Sequence, residues 1–301
     1  MNTQIKNTIK RLAKDKHAII LAHNYQPGEI QDIADLCGDS LELSIRAAQT
    51  DAEVIVFCGV RFMAETASIL SPDKTVILPN PDAGCPMADM ITPEALTSWK
   101  QAHPGIPVVT YVNSTAAVKA LTTVCCTSAN VIRVVNSLAE DEILMAPDRN
   151  LANYAASKTS KRIHIWDGCC PFHDALTPEA VMIQKQRYPE ALFMVHPECR
   201  KEVLDLADEI ASTSGMLKIA RESDRRAFIV GTEVGLLYSL QKANLNKQFY
   251  PASEALECRD MKKITLENVA QSLENLTGMV KVPEDIRVPA LKAVERMIAI
   301  R

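Results

Sequence analysis

The chain has 301 residues, 47% hydrophobic and 23% charged, enough to bury roughly 75% of its unfolded surface, which excludes disordered and fibrous classes. Thirty-seven acids against 33 bases give a net charge of -4, and no Lys/Arg run exceeds two residues, which argues against a nucleic-acid backbone reader. The longest apolar run, residues 54–60 with Gly59 counted in, falls far short of the ~20 residues a membrane span requires.

Residues 1–16 carry Ile5, Ile9, Leu12 and Ala13 at helical spacing between lysines and arginines. This predicts a surface helix; it has no apolar signal region. An apolar run over 17–25 then ends in His23-Asn24-Tyr25 and predicts a strand, followed by a helix opened at Ser40. A second apolar run at 54–57, a further helix and a third short run lead to Cys85. Six residues beyond Cys85, Thr92-Pro93-Glu94 has the composition of a helix start: a capping hydroxyl, proline at the first helical position and an acid facing the dipole.

This unit recurs. Cys170 is followed at the same distance by Thr177-Pro178-Glu179, and Cys258 by Thr265-Leu266-Glu267. The strand at 17–25 corresponds to 107–113 and 191–198, the run at 54–57 to 143–146 and 228–231, and Ser40 to Ser128 and Thr213. Three copies of about 85 residues are indicated. Strands alternating with helices mean parallel sheets covered on both faces, so the expected fold class is α/β, with three homologous three-layer (αβα) domains related by pseudo-threefold symmetry. The expected units are 1–103, 104–189 and 190–275, with a closing helix over 276–301, its helical part beginning at Glu284.

Open parallel sheets bind ligands beyond the carboxyl ends of their strands. Those ends carry His23-Asn24-Tyr25, Tyr111-Val112-Asn113 and His196-Pro197-Glu198, which three facing domains would bring to one cavity. Nine cysteines, an odd number in a chain of this size, fit a reducing cytoplasm rather than a disulfide framework. Repeat register selects Cys85, Cys170 and Cys258, and three thiolates suit an iron-sulfur cluster or zinc. A cubane held by three cysteines leaves one iron free to act as a Lewis acid. Cys125, Cys126 and Cys169 have no threefold partners, and a redox role for them stays open. Ser40, Ser128 and Thr213, opening helices on the cavity side, would receive carboxylates or phosphate. Glu198 beside His196 is a candidate acid/base, and His173, three residues after Cys170, is placed to move a proton. A zinc hydrolase or lyase and a non-catalytic iron-sulfur sensor stand as alternatives.

The motifs AHNYQPGEIQDIAD, GDSLELS, CGVRFMAETA, PDAGCPMADM, TYVNS, TSAN, W-x-G-x-C with His three on, MVHPEC, STSGM, GTE-x-G and C-x-x-M follow one another along the whole chain. In these the chain resembles the quinolinate synthase family, in its compact form. The resemblance implies a 4Fe-4S cluster on Cys85, Cys170 and Cys258. It also implies the condensation of iminosuccinate with dihydroxyacetone phosphate to quinolinate in NAD biosynthesis, and transient contact with an L-aspartate oxidase. Carried over by motif, His23, Ser40, Tyr111, Val112, Asn113, Ser128, His196, Pro197, Glu198 and Thr213 line the substrate site, while Tyr25, Tyr111, His173 and Glu198 take catalytic roles. Counting from Trp166 and Gly168 selects Cys170 over the adjacent Cys169. Phe172 is bulkier than the family's usual residue.

Overall fold

The computed structural model describes residues 2–300; Met1 and Arg301, the outer ends of the two expected terminal helices, lie outside the described residues. Twelve strands form three four-stranded sheets, every strand pairing within them being parallel. The first holds β1 (Ala18–His23), β2 (Leu36–Gly38), β3 (Val54–Cys58) and β4 (Thr75–Ile77). The second holds β5 (Val108–Tyr111), β6 (Val124–Cys126), β7 (Glu142–Ala146) and β8 (Arg162–Ile165). The third holds β9 (Leu192–Val195), β10 (Glu209–Ile210), β11 (Ala227–Gly231) and β12 (Gln248–Pro251).

The strand orders, β2-β1-β3-β4, β6-β5-β7-β8 and β10-β9-β11-β12, are one topology repeated three times. Register repeats with it: Ile20 faces Val56, Val109 faces Met145, and Met194 faces Val230. Helices cover the sheets, as expected of strands such as β3 whose five residues are all buried, because a parallel sheet has no face to give to water. The three-domain α/β class expected from the repeat is therefore present. What the repeat did not predict is the short strand before each Ser/Thr segment, β2, β6 and β10. At two or three residues each, they are too short to show alternation.

The helix starts follow their predicted chemistry. The hydroxyls of Thr92, Thr177 and Thr265 accept the amides of Ala95, Ala180 and Asn268 at 3.2–3.3 Å, and proline fills the first helical position after Thr92 and Thr177. These helices pack forward. Leu96 of the helix Pro93–Ala102 shares a core with Val108 and Leu144 of the second sheet. Val181 of Pro178–Arg187 shares one with Phe193 and Ile229 of the third. The helix Leu266–Asn275 packs against the N-terminal helix Asn2–Asp15, so the third unit closes back on the first. The last helix, Glu284–Ala299, lies against β6 and the helix Ala116–Ala120 of the second unit.

Candidate active site

Where the three sheets meet lies a cavity lined by Cys85, Cys170 and Cys258 together with His23, Tyr25, Ser40, Tyr111, Asn113, Ser128, His173, His196, Glu198 and Thr213. Three strand exits and three post-strand loops converge there because each sheet presents its carboxyl edge inward. Val112 and Pro197 do not line it. Val112 is 1% exposed and belongs to the apolar core, and its amide donates to the Cys126 carbonyl at 2.8 Å; Pro197 is buried too.

The helix starts differ from expectation in one respect. Ser40 and Thr213 are first helical residues, and the caps are Asp39 and Ser212. Asp39 Oδ1 accepts the amides of Leu41 and Glu42, both at 3.0 Å, so two of that helix's orphan donors are already taken. Ser128 lies in a turn three residues before the helix Val131–Asn136. Any anion held here meets the hydroxyls and local amides of these residues, not three bare helix ends.

A continuous polar chain crosses the cavity wall. The Tyr25 hydroxyl lies 2.6 Å from Thr232 Oγ1, which lies 2.8 Å from His173 Nε2. His173 Nδ1 then lies 2.7 Å from Glu198 Oε2 and 3.2 Å from Cys170 Sγ. A carboxylate only accepts, so the Nδ1 proton belongs to His173, which donates it to Glu198. Tyr111 neighbours Glu198 closely enough to favour its carboxylate. His196 stacks on His173 with centroids 4.7 Å apart, and its Nε2 lies 3.2 Å from Ser128 Oγ.

Burial governs the protonation of this cluster. Desolvation lowers His23 and His196 to about 3 in each case, so both are neutral imidazoles at physiological pH. Desolvation, reinforced by the Glu198 charge, pushes the Tyr25 and Tyr111 hydroxyls well above their ordinary range. Burial works against the Glu198 carboxylate, yet the hydrogen bond from His173 and the neighbouring Tyr111 hydroxyl hold it below the usual carboxylate range.

The cysteines fit a metal centre. Burial pushes the thiols up, Cys85 to about 12, Cys258 to about 11 and Cys170 well above the ordinary value; a bound cation would compensate that cost and leave thiolates. Among the described residues, the three metal-capable atoms lying within 4.8 Å of one another are those of Cys170, His173 and Glu198. The three sulfurs are spread more widely, whereas thiolates 2.3 Å from one tetrahedral zinc lie about 3.8 Å apart. That spread suits a multinuclear centre. The Asn113 side-chain oxygen, buried and lacking a hydrogen-bond partner, is a further group awaiting a ligand.

Sequence reasoning missed the groups that hold two of the cysteines. Asp148 Oδ2 accepts the Cys170 amide at 2.9 Å, and Glu233 Oε1 accepts the Cys258 amide at 3.1 Å. Both acids are at most 2% exposed, and both stand two residues past the third strand of their sheet. The repeat displacement carries Asp148 onto Glu233, so the signal was present. The first unit has Val60 there. Thr232, the residue before Glu233, was also missed; nothing in its sequence context marks it apart from the GTE motif.

Fold and site define a triplicated α/β enzyme with a cysteine-lined, metal-capable centre among buried acid/base residues. The chain matches the family described as Quinolinate synthetase A protein over residues 7–299, and it belongs to that family. It is 57% identical over 297 residues to the quinolinate synthase of Geotalea uraniireducens (strain Rf4), covering 99% of this chain and 98% of the relative. It is 55% identical over 296 residues to that of Geobacter sp. (strain M21), covering 98% and 97%. Against that of Thermodesulfovibrio yellowstonii (strain ATCC 51303 / DSM 11347 / YP87) it is 52% identical over 293 residues, with 97% of each chain covered.

Proposed function

We propose that the chain condenses iminosuccinate with dihydroxyacetone phosphate to give quinolinate, phosphate and water in NAD biosynthesis. Cys85, Cys170 and Cys258 would hold a 4Fe-4S cluster. The observation that carries this reading is the convergence of three repeat-equivalent cysteines on one cavity beside the His173–Glu198 pair. When bound, the cluster supplies a Lewis-acidic iron that no protein atom ligates.

The chain's own residues supply the remainder. Ser40, Ser128 and Thr213 bind the substrate carboxylates and phosphate, Asn113 offers its free carbonyl oxygen, and neutral His23 and His196 orient the substrate without adding charge. Glu198 takes protons during imine formation and dehydration, and His173 and Thr232 connect it to Tyr25. Tyr111 and Tyr25, kept protonated by burial, donate to the departing phosphate and to the tautomerising intermediate. Val112 and Pro197 act as backbone, fixing the strand exits on either side.

Both substrates are small anions. We further infer a cytoplasmic enzyme; among the described residues no helix is long and apolar enough to cross a membrane. An L-aspartate oxidase, as the source of the unstable imine, is the partner this reading proposes. A second reading, a single zinc ion at Cys170, His173 and Glu198, has the close grouping of those atoms in its favour but leaves Cys85 and Cys258 unused.

One experiment separates them. Protein reconstituted anaerobically with iron and sulfide is examined by Mössbauer spectroscopy and assayed with both substrates. Quinolinate formation by a brown protein with four irons per chain, lost in each of Cys85→Ala, Cys170→Ala and Cys258→Ala, is the expected result. A colourless zinc protein, or no quinolinate from the cluster-loaded form, would overturn the proposal.

A further inference from the structure

Asn150 is the second residue of the helix Arg149–Ala156 and is 7% exposed. It stands at a helix start that grips the loop carrying Cys170. Asp148 Oδ2 accepts the Cys170 amide at 2.9 Å, the Arg149 amide donates to the Gly168 carbonyl at 2.7 Å, and Asn150 Nδ2 donates to Asp174 Oδ1 at 2.9 Å. Arg149 takes the other oxygen of Asp174, Oδ2, at 3.2 Å, so both ends of that carboxylate are held.

The Asn150 side chain also reaches beyond this loop. The same Nδ2 donates to the Glu198 carbonyl at 3.0 Å. Both partners are acceptors, so the side-chain NH2, with a proton for each, faces them. Asp174 adjoins His173 in the helix Pro171–Asp174, and Glu198 lies three residues beyond β9. One buried amide thus bridges the two segments whose side chains meet at 2.7 Å as His173 and Glu198. Local structure fixes that meeting weakly. The helix carrying His173 has four residues, and the bond from the Glu198 amide to His196 Nδ1 is long, at 3.4 Å. Arg200 links the same segments through the Asp174 carbonyl, but its side chain is 46% exposed, and an exposed contact is worth little.

We propose that Asn150 is a positioning residue for the proton-moving pair, setting the separation of His173 and Glu198 by tying both segments to one helix start. The inference rests on the role given above to Glu198. Asn150 does not line the cavity, so it acts through that pair and not on the substrate. Without its amide two buried acceptors lose their donor, and the segments are free to relax apart. A purely structural tie would instead lower the melting temperature and leave the turnover of the folded enzyme intact.

The test uses the reconstituted holoenzyme with Asn150→Leu, which keeps the side chain's size and removes its donor, compared at matched iron content with wild type, Glu198→Gln and the double variant. In Asn150→Leu kcat should fall by about 10-fold to 100-fold, the upper figure being the cost of a ~1 Å misplacement. KM should stay close to wild type, the pattern of an interaction that serves the transition state. In the Glu198→Gln background the same substitution should cost little more, because the group it positions is already gone. Should Asn150→Leu fail to fold, Asn150→Ala, which demands no new packing, carries the same comparison. Wild-type kcat in the folded variant overturns the proposal, and so does an equal further loss on top of Glu198→Gln. Failure of both variants to fold or to take up iron also overturns it, assigning Asn150 to the fold or to the Cys170 loop. Near-normal turnover in Glu198→Gln would instead sink the parent reading of that residue.

Discussion

At the level of single residues, the site is organised by what burial does to ionisable groups. Glu198 is charged because its polar neighbours outweigh its desolvation, and burial, reinforced by that charge, keeps Tyr25 and Tyr111 protonated. Glu198→Gln should keep the cysteine centre and lose turnover by at least ~100-fold, the scale of a general acid-base contribution. Initial rates at matched iron content check this, and near-normal turnover would remove Glu198 from the mechanism. His23 and His196 also make a stability prediction. Each is depressed from 6.5 to about 3 in the folded chain, so as pH falls through 6.5 the unfolded state takes up protons that the native state refuses. Their contribution is present in full above pH 6.5 and is lost progressively down to about pH 3. The expected slope is at most about 2.7 kcal/mol per pH unit, for two protons. Denaturant midpoints of the metal-free protein between pH 7 and 4 measure it, and a flat profile would contradict neutral buried imidazoles.

Among the elements, the loop after the third strand of each sheet decides how its cysteine is held. In the second and third units that loop carries an acid whose carboxylate bridges two amides. Asp148 takes those of Leu151 and Cys170, and Glu233 those of Gly235 and Cys258. Val60 leaves the first unit without this anchor, and there the Arg61 amide donates to the Ala83 carbonyl at 2.8 Å, two residues before Cys85. Truncating an acid leaves a buried amide unpaired and its cysteine free to drift. Asp148→Ala and Glu233→Ala should therefore speed iron loss to a chelator by about 10-fold to 100-fold, with helical content retained by circular dichroism. Equal retention in wild type and both variants would show that these bonds do not hold the centre. Glu233 has a second duty, an ion pair with Lys262 at 2.8 Å, so its loss should be the more damaging of the two.

Over the whole molecule, the cavity exists because three units close into a ring. We propose units 1–103, 104–189 and 190–275 with 276–301 as the closing segment, on the strength of the repeat. In packing, each unit lends the helix after its cysteine to the next, and the third returns its helix to the first. The final helix then braces the second unit from outside. Asn130, at the end of the turn carrying Ser128, donates to the carbonyls of Met297 and Ile300 at 3.0 and 2.9 Å, and Ala290, Val294 and Met297 are fully buried. Deleting residues 284–301 removes that buried surface, and full burial of each large apolar side chain is worth about 1.5–3 kcal/mol. The truncated chain should melt well below the intact one and lose quinolinate formation, because the Ser128 turn loses its support. An unchanged melting temperature with full activity would show the helix to be dispensable.

The sequence alone determined the repeat, and through it the three parallel sheets, the cap threonines and the choice of Cys85, Cys170 and Cys258 from nine candidates. These are legible because periodicity and capping are local properties of the chain, and triplication writes each of them more than once. It also gave most of the cavity lining, since strand ends are visible as the points where apolar runs turn polar. Tertiary structure decided the rest. Only packing shows that Val112 turns into the core. Only packing joins Tyr25, Thr232, His173 and Glu198, residues of all three units, into one chain of hydrogen bonds. A proton path and a buried charge depend on distances between residues far apart in sequence, and no local pattern encodes those distances.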